Sequence, residues 1–193
     1  MDTITHIANS QGGIIRSNDI NNRSDYQRLV RSVRRGELIR IRHGVYAVPD
    51  ALFSTMTDVD RIVPGGIVCL YNAWAYHQLS TVVPPSFCIA INAKRKVVIP
   101  SSLPITLYYW KKENLEFGIT DAKISGYKVR ITDMERSVCD AIKYRHKIGL
   151  DTTAEIIRNY LKKEKRNFSR LSDYAKRLRV ANTLKKYLEI ALE

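Results

Sequence analysis

The spacing of apolar residues along the N-terminal part of the chain predicts two helices. Ile4, Ile7 and Ala8 recur at helical spacing, and the polar and glycine residues at 11–13 are expected to end this first helix. A second, longer helix is predicted to begin with Ser24 as its N-cap. The spacing of its apolar residues predicts a single buried stripe made of Tyr26, Leu29, Val30 and Val33.

Shorter elements complete this N-terminal pattern. Residues 14–15 are long enough for a minimal strand, and Ser17 is expected to begin a very short helix. Residues 38–42 follow a period-two pattern that predicts a strand, with Ile39 and Ile41 on one face and Leu38, Arg40 and Arg42 on the other. A tight turn at 43–44 and a returning strand at 45–47 complete a hairpin. The order helix, turn, helix and hairpin is that of a winged helix-turn-helix.

The polar residues of the second helix and the hairpin favour DNA binding. Seven arginines and two acidic residues occur between positions 23 and 42. Arginine makes forked contacts to phosphate and guanine, and glutamine suits adenine edges in the major groove. The predicted groove contacts are Arg23, Gln27, Arg28 and Arg31, and the predicted backbone contacts are Arg34, Arg40, Arg42 and His43. An ordinary solvated helix face, or a winged helix that binds protein, is the alternative interpretation.

Beyond residue 48 the pattern predicts a mixed α/β domain, so the fold class is α+β. The expected domains are a winged helix-turn-helix over 1–48 and a C-terminal α+β domain with a helical tail over 49–193. Residues 68–79 predict a buried helix, and strands are predicted at 87–91, 97–99, 105–110 and 127–131. Asp133 is expected to cap a helix that runs to about His146. Three further helical runs are predicted, with breaks near Gly149, Asn167 and Asn182.

Composition adds a preference for polyanionic partners. The chain has 32 Lys+Arg against 19 Asp+Glu, a formal net charge of +13 and a pI of about 9.8. Hydrophobic residues make up 45% of the sequence, which is enough for a folded core. Three scattered cysteines favour reduced thiols in the cytoplasm. The sequence contains neither a signal peptide nor an apolar run of about 20 residues, so no membrane partner is expected.

The sequence offers no constellation typical of an enzyme, a metal site or a cofactor site. It lacks GxSxG, GxxxxGK[ST], GxGxxG and HExxH, and its four histidines are scattered. His77 is expected to be a packing residue. A metal-dependent nuclease remains an alternative, but Asn92 stands where an acid should follow its strand. The nearest carboxylate cluster is Asp133, Glu135 and Asp140.

Three stretches of the sequence resemble the AbiEi-type antitoxins of bacterial type IV toxin–antitoxin (abortive infection) systems. They are residues 13–15 with 35–47 (GII, RGELIRIRHGVYA), residues 70–79 (LYNAWAYHQL, followed by a proline pair and a strand), and residues 131–141 (ITDMERSVCDA). The resemblance implies a DNA-binding domain that represses its own operon. It also implies a C-terminal domain that opposes a co-encoded nucleotidyltransferase toxin without requiring a stable complex, a role in phage defence.

The helical tail is a second basic region. Eleven Lys+Arg and four acidic residues lie between Arg158 and Glu193. A candidate second basic surface comprises Lys162, Lys163, Lys165 and Arg166. The sequence leaves open a solvated face, a second DNA contact, and a surface for an acidic partner or for nucleic acid handled by the toxin. Another hypothesis for the whole protein is an interaction module that neutralises a partner by direct binding.

Overall fold

The computed structural model of the chain describes residues 3–10, 13–48, 59–84, 86–99, 104–124 and 127–192. These residues form two compact units. The N-terminal unit comprises the described residues of segments 1–66, 95–105 and 123–128, and the C-terminal unit comprises those of segments 67–94, 106–122 and 129–193. The predicted domain boundary near residue 49 lies outside the described residues and stays a prediction.

Two helices and a small sheet form the first part of the N-terminal unit. The elements are helix α1 (Thr3–Ser10), strand β1 (Ile14–Arg16), a short 3-10 helix (Ser17–Asp19), helix α2 (Arg23–Arg34), and strands β2 (Ile39–Arg42) and β3 (Val45–Ala47). Strand β3 lies between β1 and β2 and pairs antiparallel with both. The buried side chains of its core cluster are Ile4, Ala8, Ile15, Leu29, Leu38 and Tyr46. This element order agrees with the order that the sequence predicts.

A β-bulge interrupts the predicted alternation of β2. The pairing register of β2 with β3 shifts between Arg40 and Arg42, so that Ile41 is the extra residue. Because of this shift, Leu38 and Ile41 are both buried. Strict alternation would have put them on opposite faces of the strand.

The remaining elements are a larger sheet and several helices. They are α3 (Val59–Ile62), β4 (Ile67–Val68), α4 (Tyr71–Tyr76), β5 (Phe87–Asn92), β6 (Ile105–Trp110), a 3-10 helix (Lys112–Leu115), β7 (Ile119–Ile124), β8 (Tyr127–Thr132), α5 (Met134–Ile148), α6 (Leu150–Leu161), α7 (Phe168–Arg177) and α8 (Ala181–Leu192). The sheet has the strand order β6-β5-β4-β8-β7, in which β4 is antiparallel to β5 and parallel to β8. The predicted α+β class is confirmed at this level.

Several predictions for the later elements need correction. Residues 97–99 form no strand, and Val98 is 86% exposed, because they have no pairing partner among the described residues. The apolar run at 68–79 divides between β4 and the shorter α4, since short apolar runs suit a buried strand as well as a helix. Strand β7 was not predicted. The last helical break, predicted near Asn182, lies slightly earlier at 178–180, where Arg179 has a φ of +59°.

The core of the C-terminal unit forms around helix α5 and Trp74. Trp74 is fully buried, and its Nε1 donates to the backbone carbonyl of Ser137 at 2.9 Å. On α5, Val138, Ala141 and Ile142 are all fully buried. Among the helices of the described residues, none has the length and apolar content needed to cross a membrane.

Candidate nucleic-acid interface

Helix α2 carries most of the predicted DNA contacts and begins at a cap made by Asn22. The side-chain oxygen of Asn22 accepts from the backbone N–H of Asp25 at 2.7 Å, and its amide donates to the Asp25 carboxylate at 2.8 Å. Ser24, the predicted cap, lies inside the first turn. Asparagine caps helices as well as serine does, and an acidic residue three positions later supports the cap. The sequence therefore contained the signal for the correct start.

One face of α2 packs against the core of the N-terminal unit. Leu29 and Ser32 are fully buried, and Val33 is half-buried. Tyr26 departs from the predicted stripe, because it lies at the margin of this face and is 46% exposed. Burial, reinforced by the neighbouring Tyr26, raises the pKa of Tyr46. The buried face fixes which side of α2 is presented to solvent.

The opposite face of α2 is exposed and basic. Every predicted contact on this helix is exposed: Arg23, Gln27, Arg28, Arg31 and Arg34. A helix turns by about 100° per residue, so Gln27 and Arg31 point most directly away from Leu29, whereas Arg28 lies at the flank. This face presents forked donors of the kind that bind phosphate oxygens and guanine edges.

Acidic neighbours compensate only a small part of this charge. Arg28 Nη1 lies 3.4 Å from Asp25 Oδ1, and Arg35 Nη1 lies 3.5 Å from Glu37 Oε1. Both pairs are solvent-exposed and therefore weak. Within the part of the chain that the structure describes, no ion pair involves Arg23, Arg31 or Arg34. The centre of the basic face is thus available to a polyanion.

The hairpin of β2 and β3, called the basic hairpin below, has a turn that requires glycine. Gly44 has a φ of +71°, and a Cβ on it would lie 2.8 Å from Ser17 Oγ. The backbone N–H of Ser17 donates to the carbonyl of Gly44 at 2.8 Å, which ties the turn to the 3-10 helix. Arg40 and His43 are exposed. The side chain of Arg42 lies outside what the structure describes.

The candidate second basic surface lies in the connection between α6 and α7. Arg166 Nη1 donates to the carbonyl of Lys163 at 2.8 Å, and the Arg166 guanidinium lies 5.7 Å from the ring centre of Phe168. Lys163 Nζ lies 3.5 Å from Gln78 Oε1. Lys162, Lys165 and Arg166 are exposed. These residues follow the end of α6, which agrees with their predicted location, but their role stays a prediction.

The carboxylate cluster singled out in the sequence joins helices together. Asp133 caps α5, as predicted, and its other oxygen accepts from the Tyr174 hydroxyl at 3.1 Å. Burial and the Asp133 carboxylate raise the pKa of Tyr174 to about 12. Glu135, 2% exposed, accepts from the backbone N–H of Asn167 at 3.0 Å. No group of three or more His, Cys, Asp or Glu side chains among the described residues could hold a metal ion.

The third carboxylate of the cluster belongs to a buried ion pair. Asp140 Oδ1 lies 3.0 Å from Nε of Arg136, and both side chains are 1% exposed. The guanidinium also donates to the carbonyls of Asn114 and Phe117. It lies 4.6 Å and 4.5 Å from the ring centres of Trp110 and Phe117. Burial raises the pKa of Asp140, and Arg136 opposes that rise. The contacts describe an internal scaffold rather than an open site.

His77 and the three cysteines of the C-terminal unit are engaged in packing. His77 Nε2 lies 2.8 Å from the carbonyl of Thr132, and burial lowers the pKa of His77. Its predicted packing role is confirmed. Cys69, Cys88 and Cys139 are free and buried, and burial raises the pKa of each thiol. A raised pKa keeps a thiol protonated and unreactive.

Comparison with known families identifies the N-terminal segment. Residues 2–49 match the model of a family of transcriptional regulators. The family is that of the AbiEi antitoxins, so the resemblance inferred from the sequence is confirmed over these residues. The match covers 48 of the 193 residues and includes α2 and the basic hairpin. No curated protein was found to match the chain.

Proposed function

We propose that this protein is a cytoplasmic, DNA-binding antitoxin that represses its own operon. In this proposal the elements from α1 to β3 are a winged helix-turn-helix, α2 is its recognition helix and the basic hairpin is its wing. The observation that carries the proposal is the exposed, largely unpaired arginine face of α2, in a segment that matches the AbiEi transcriptional regulators.

The proposed contacts divide into two classes with different consequences. Residues in the major groove read base edges and provide sequence preference: Arg23, Gln27, Arg28 and Arg31. Residues on the phosphate backbone position the protein without reading sequence: Arg34, Arg40, Arg42 and His43. One recognition helix reads a short site, so we expect two copies on an inverted repeat in the promoter.

The antitoxin part of the proposal concerns the C-terminal unit. We propose that it opposes a nucleotidyltransferase toxin encoded beside it, without a stable complex between the two. The AbiEi match supports an antitoxin role, but it ends at residue 49. The proposal therefore treats repression and neutralisation as separable activities of one chain, with the candidate second basic surface available to the second activity.

Binding of the protein to its own upstream DNA is the direct test of the proposed repressor. Fluorescence anisotropy would compare this DNA with a scrambled duplex at two salt concentrations. We expect affinity for the native sequence to exceed that for the scrambled one at both. Replacing Arg31 or Arg28 with alanine should cost about 1–3 kcal/mol on the native sequence and relax the sequence preference.

Two variants give that titration its controls. Arg40→Ala, on the wing, should weaken binding to both duplexes alike and lower the slope of log affinity against log salt by about one unit. Lys112→Ala removes an equal charge from a side chain that is 80% exposed and lies outside the matched segment, and it should change neither property. Equal affinity of the parent chain for both duplexes would reject the repressor, and would favour a module that acts on a protein partner.

Separation of the two activities predicts a specific phenotype. The Arg31→Ala chain should lose repression of a reporter placed behind its own promoter, because its recognition helix is impaired. The same chain should still restore growth of cells that express the toxin from the neighbouring gene. Reporter output and growth would be measured in parallel. Loss of both activities in a variant that remains folded would contradict separable functions.

A further inference from the structure

A cavity beside the turn of the basic hairpin brings together residues that are far apart in the sequence. It has a volume of about 480 Å³ and lies within the N-terminal unit. Its apolar lining includes Ile41 and Ile62, which are 3% and 1% exposed. Its basic lining consists of His43 from the hairpin and of Arg95 and Lys96. The cavity thus joins the hairpin to a segment far beyond residue 49.

The structure restrains Arg95, the first of the two adjacent cations Arg95 and Lys96. Arg95 is half-buried, and its Nη1 donates to the carbonyl of Pro64 at 2.8 Å, which restrains the side chain. Lys96 is exposed. Within the described residues, no carboxylate lies within ion-pair distance of Arg95 or Lys96. Among the described residues, these two adjacent positive charges therefore have no acidic partner, and they lie beside His43.

We propose that Arg95 and Lys96 extend the wing into a longer DNA-backbone contact, so that the interface includes residues outside the family match. This inference rests on the proposed function, because His43 is one of its backbone contacts. Phosphates follow one another without interruption along a duplex, so cations that flank a wing residue meet neighbouring phosphates. The contact adds affinity and salt dependence but no sequence preference.

The test is a titration of the full-length Arg95→Ala/Lys96→Ala chain with native and scrambled duplexes over a range of salt. Two lost phosphate contacts should lower the slope of log affinity against log salt by about two units, and affinity at 100 mM salt by about tenfold or more. The affinity for the native and for the scrambled duplex should fall alike. The charge-preserving Arg95→Lys/Lys96→Arg chain should keep the parent slope.

Further variants separate this contact from general effects. Lys111→Ala/Lys112→Ala removes two adjacent exposed cations that lie outside both basic regions, and it should leave the slope unchanged. The double variant also removes the hydrogen bond of Arg95, whereas Lys96→Ala changes only an exposed side chain. Lys96→Ala alone should lower the slope by about one unit. If the Arg95/Lys96 chain keeps the parent slope while Arg31→Ala still weakens binding, this inference is overturned and the proposed function stands. If the parent chain does not prefer its own DNA, both are rejected.

Discussion

Replacing Asp140 with alanine is expected to lower the free energy of unfolding by about 3–5 kcal/mol, because it leaves a buried guanidinium without its carboxylate partner. Arg136 is fully buried, and Asp140 is its ion-pair partner among the described residues. The two carbonyls that accept from Arg136 carry only partial charge, so they cannot replace the lost carboxylate. Urea denaturation of the full chain, followed by circular dichroism, would measure the change in midpoint.

The chain contains a matched control for this prediction. Lys185 and Glu189 form a pair with the same i,i+4 spacing at 3.7 Å, but their side chains are 78% and 59% exposed. Glu189→Ala should therefore cost no more than about 0.5 kcal/mol. A similar, small effect of both substitutions would mean that the Arg136 charge finds compensation elsewhere. The double variant Arg136→Met/Asp140→Leu should be less destabilised than the sum of its single substitutions.

Replacing Gly118 with alanine should lower the free energy of unfolding by about 2–4 kcal/mol, through overpacking and an unfavourable backbone conformation. Gly118 has a φ of +64°. A Cβ there would lie 2.6 Å from Cβ of Arg136, an atom too close to its backbone to move aside, and 3.1 Å from a ring carbon of Tyr174. The same denaturation experiment measures the loss.

Gly65 separates the two contributions to that loss. Its φ is +67°, close to that of Gly118, but a Cβ there would meet nothing within 4 Å. Gly65→Ala should therefore show only the backbone cost, about 1–2 kcal/mol. Equal effects at the two glycines would indicate that Arg136 and Tyr174 can shift to accept the methyl group.

Local patterns were sufficient for much of the fold. Helical spacing in α1, the turn at Gly44 and the cap at Asp133 all depend on residues within a few positions of one another, and the structure agrees with each. Not every failure was local in origin. Asn22 and Ser24 are comparable N-caps, but only Asn22 has an acidic residue three positions later, a local signal that the prediction overlooked. Alternation in β2 could not reveal the bulge at Ile41, because that depends on pairing with β3.

For the candidate interface, sequence was informative about residue chemistry and uninformative about neighbours. The arginines of α2 could be predicted as one polar face, because helical periodicity alone separates them from Leu29. That the Arg28 guanidinium lies 3.4 Å from the Asp25 carboxylate required the structure. Likewise, Arg95 and Lys96 carry no motif, and only the folded N-terminal unit brings them to the cavity that His43 lines.

The sequence by itself thus determined the order of the N-terminal elements, the basic face of α2 and the resemblance to the AbiEi antitoxins, which the family match confirms over residues 2–49. The tertiary structure alone decided that Asp140 neutralises Arg136 inside the core, and that Gly118 contacts that arginine. The physical reason is the range of the interactions. Periodicity and capping act within one or two helical turns, a range that includes the i,i+4 spacing of Arg136 and Asp140. Whether that pair is buried, and which residues pack against it, depends on segments that lie far apart along the chain.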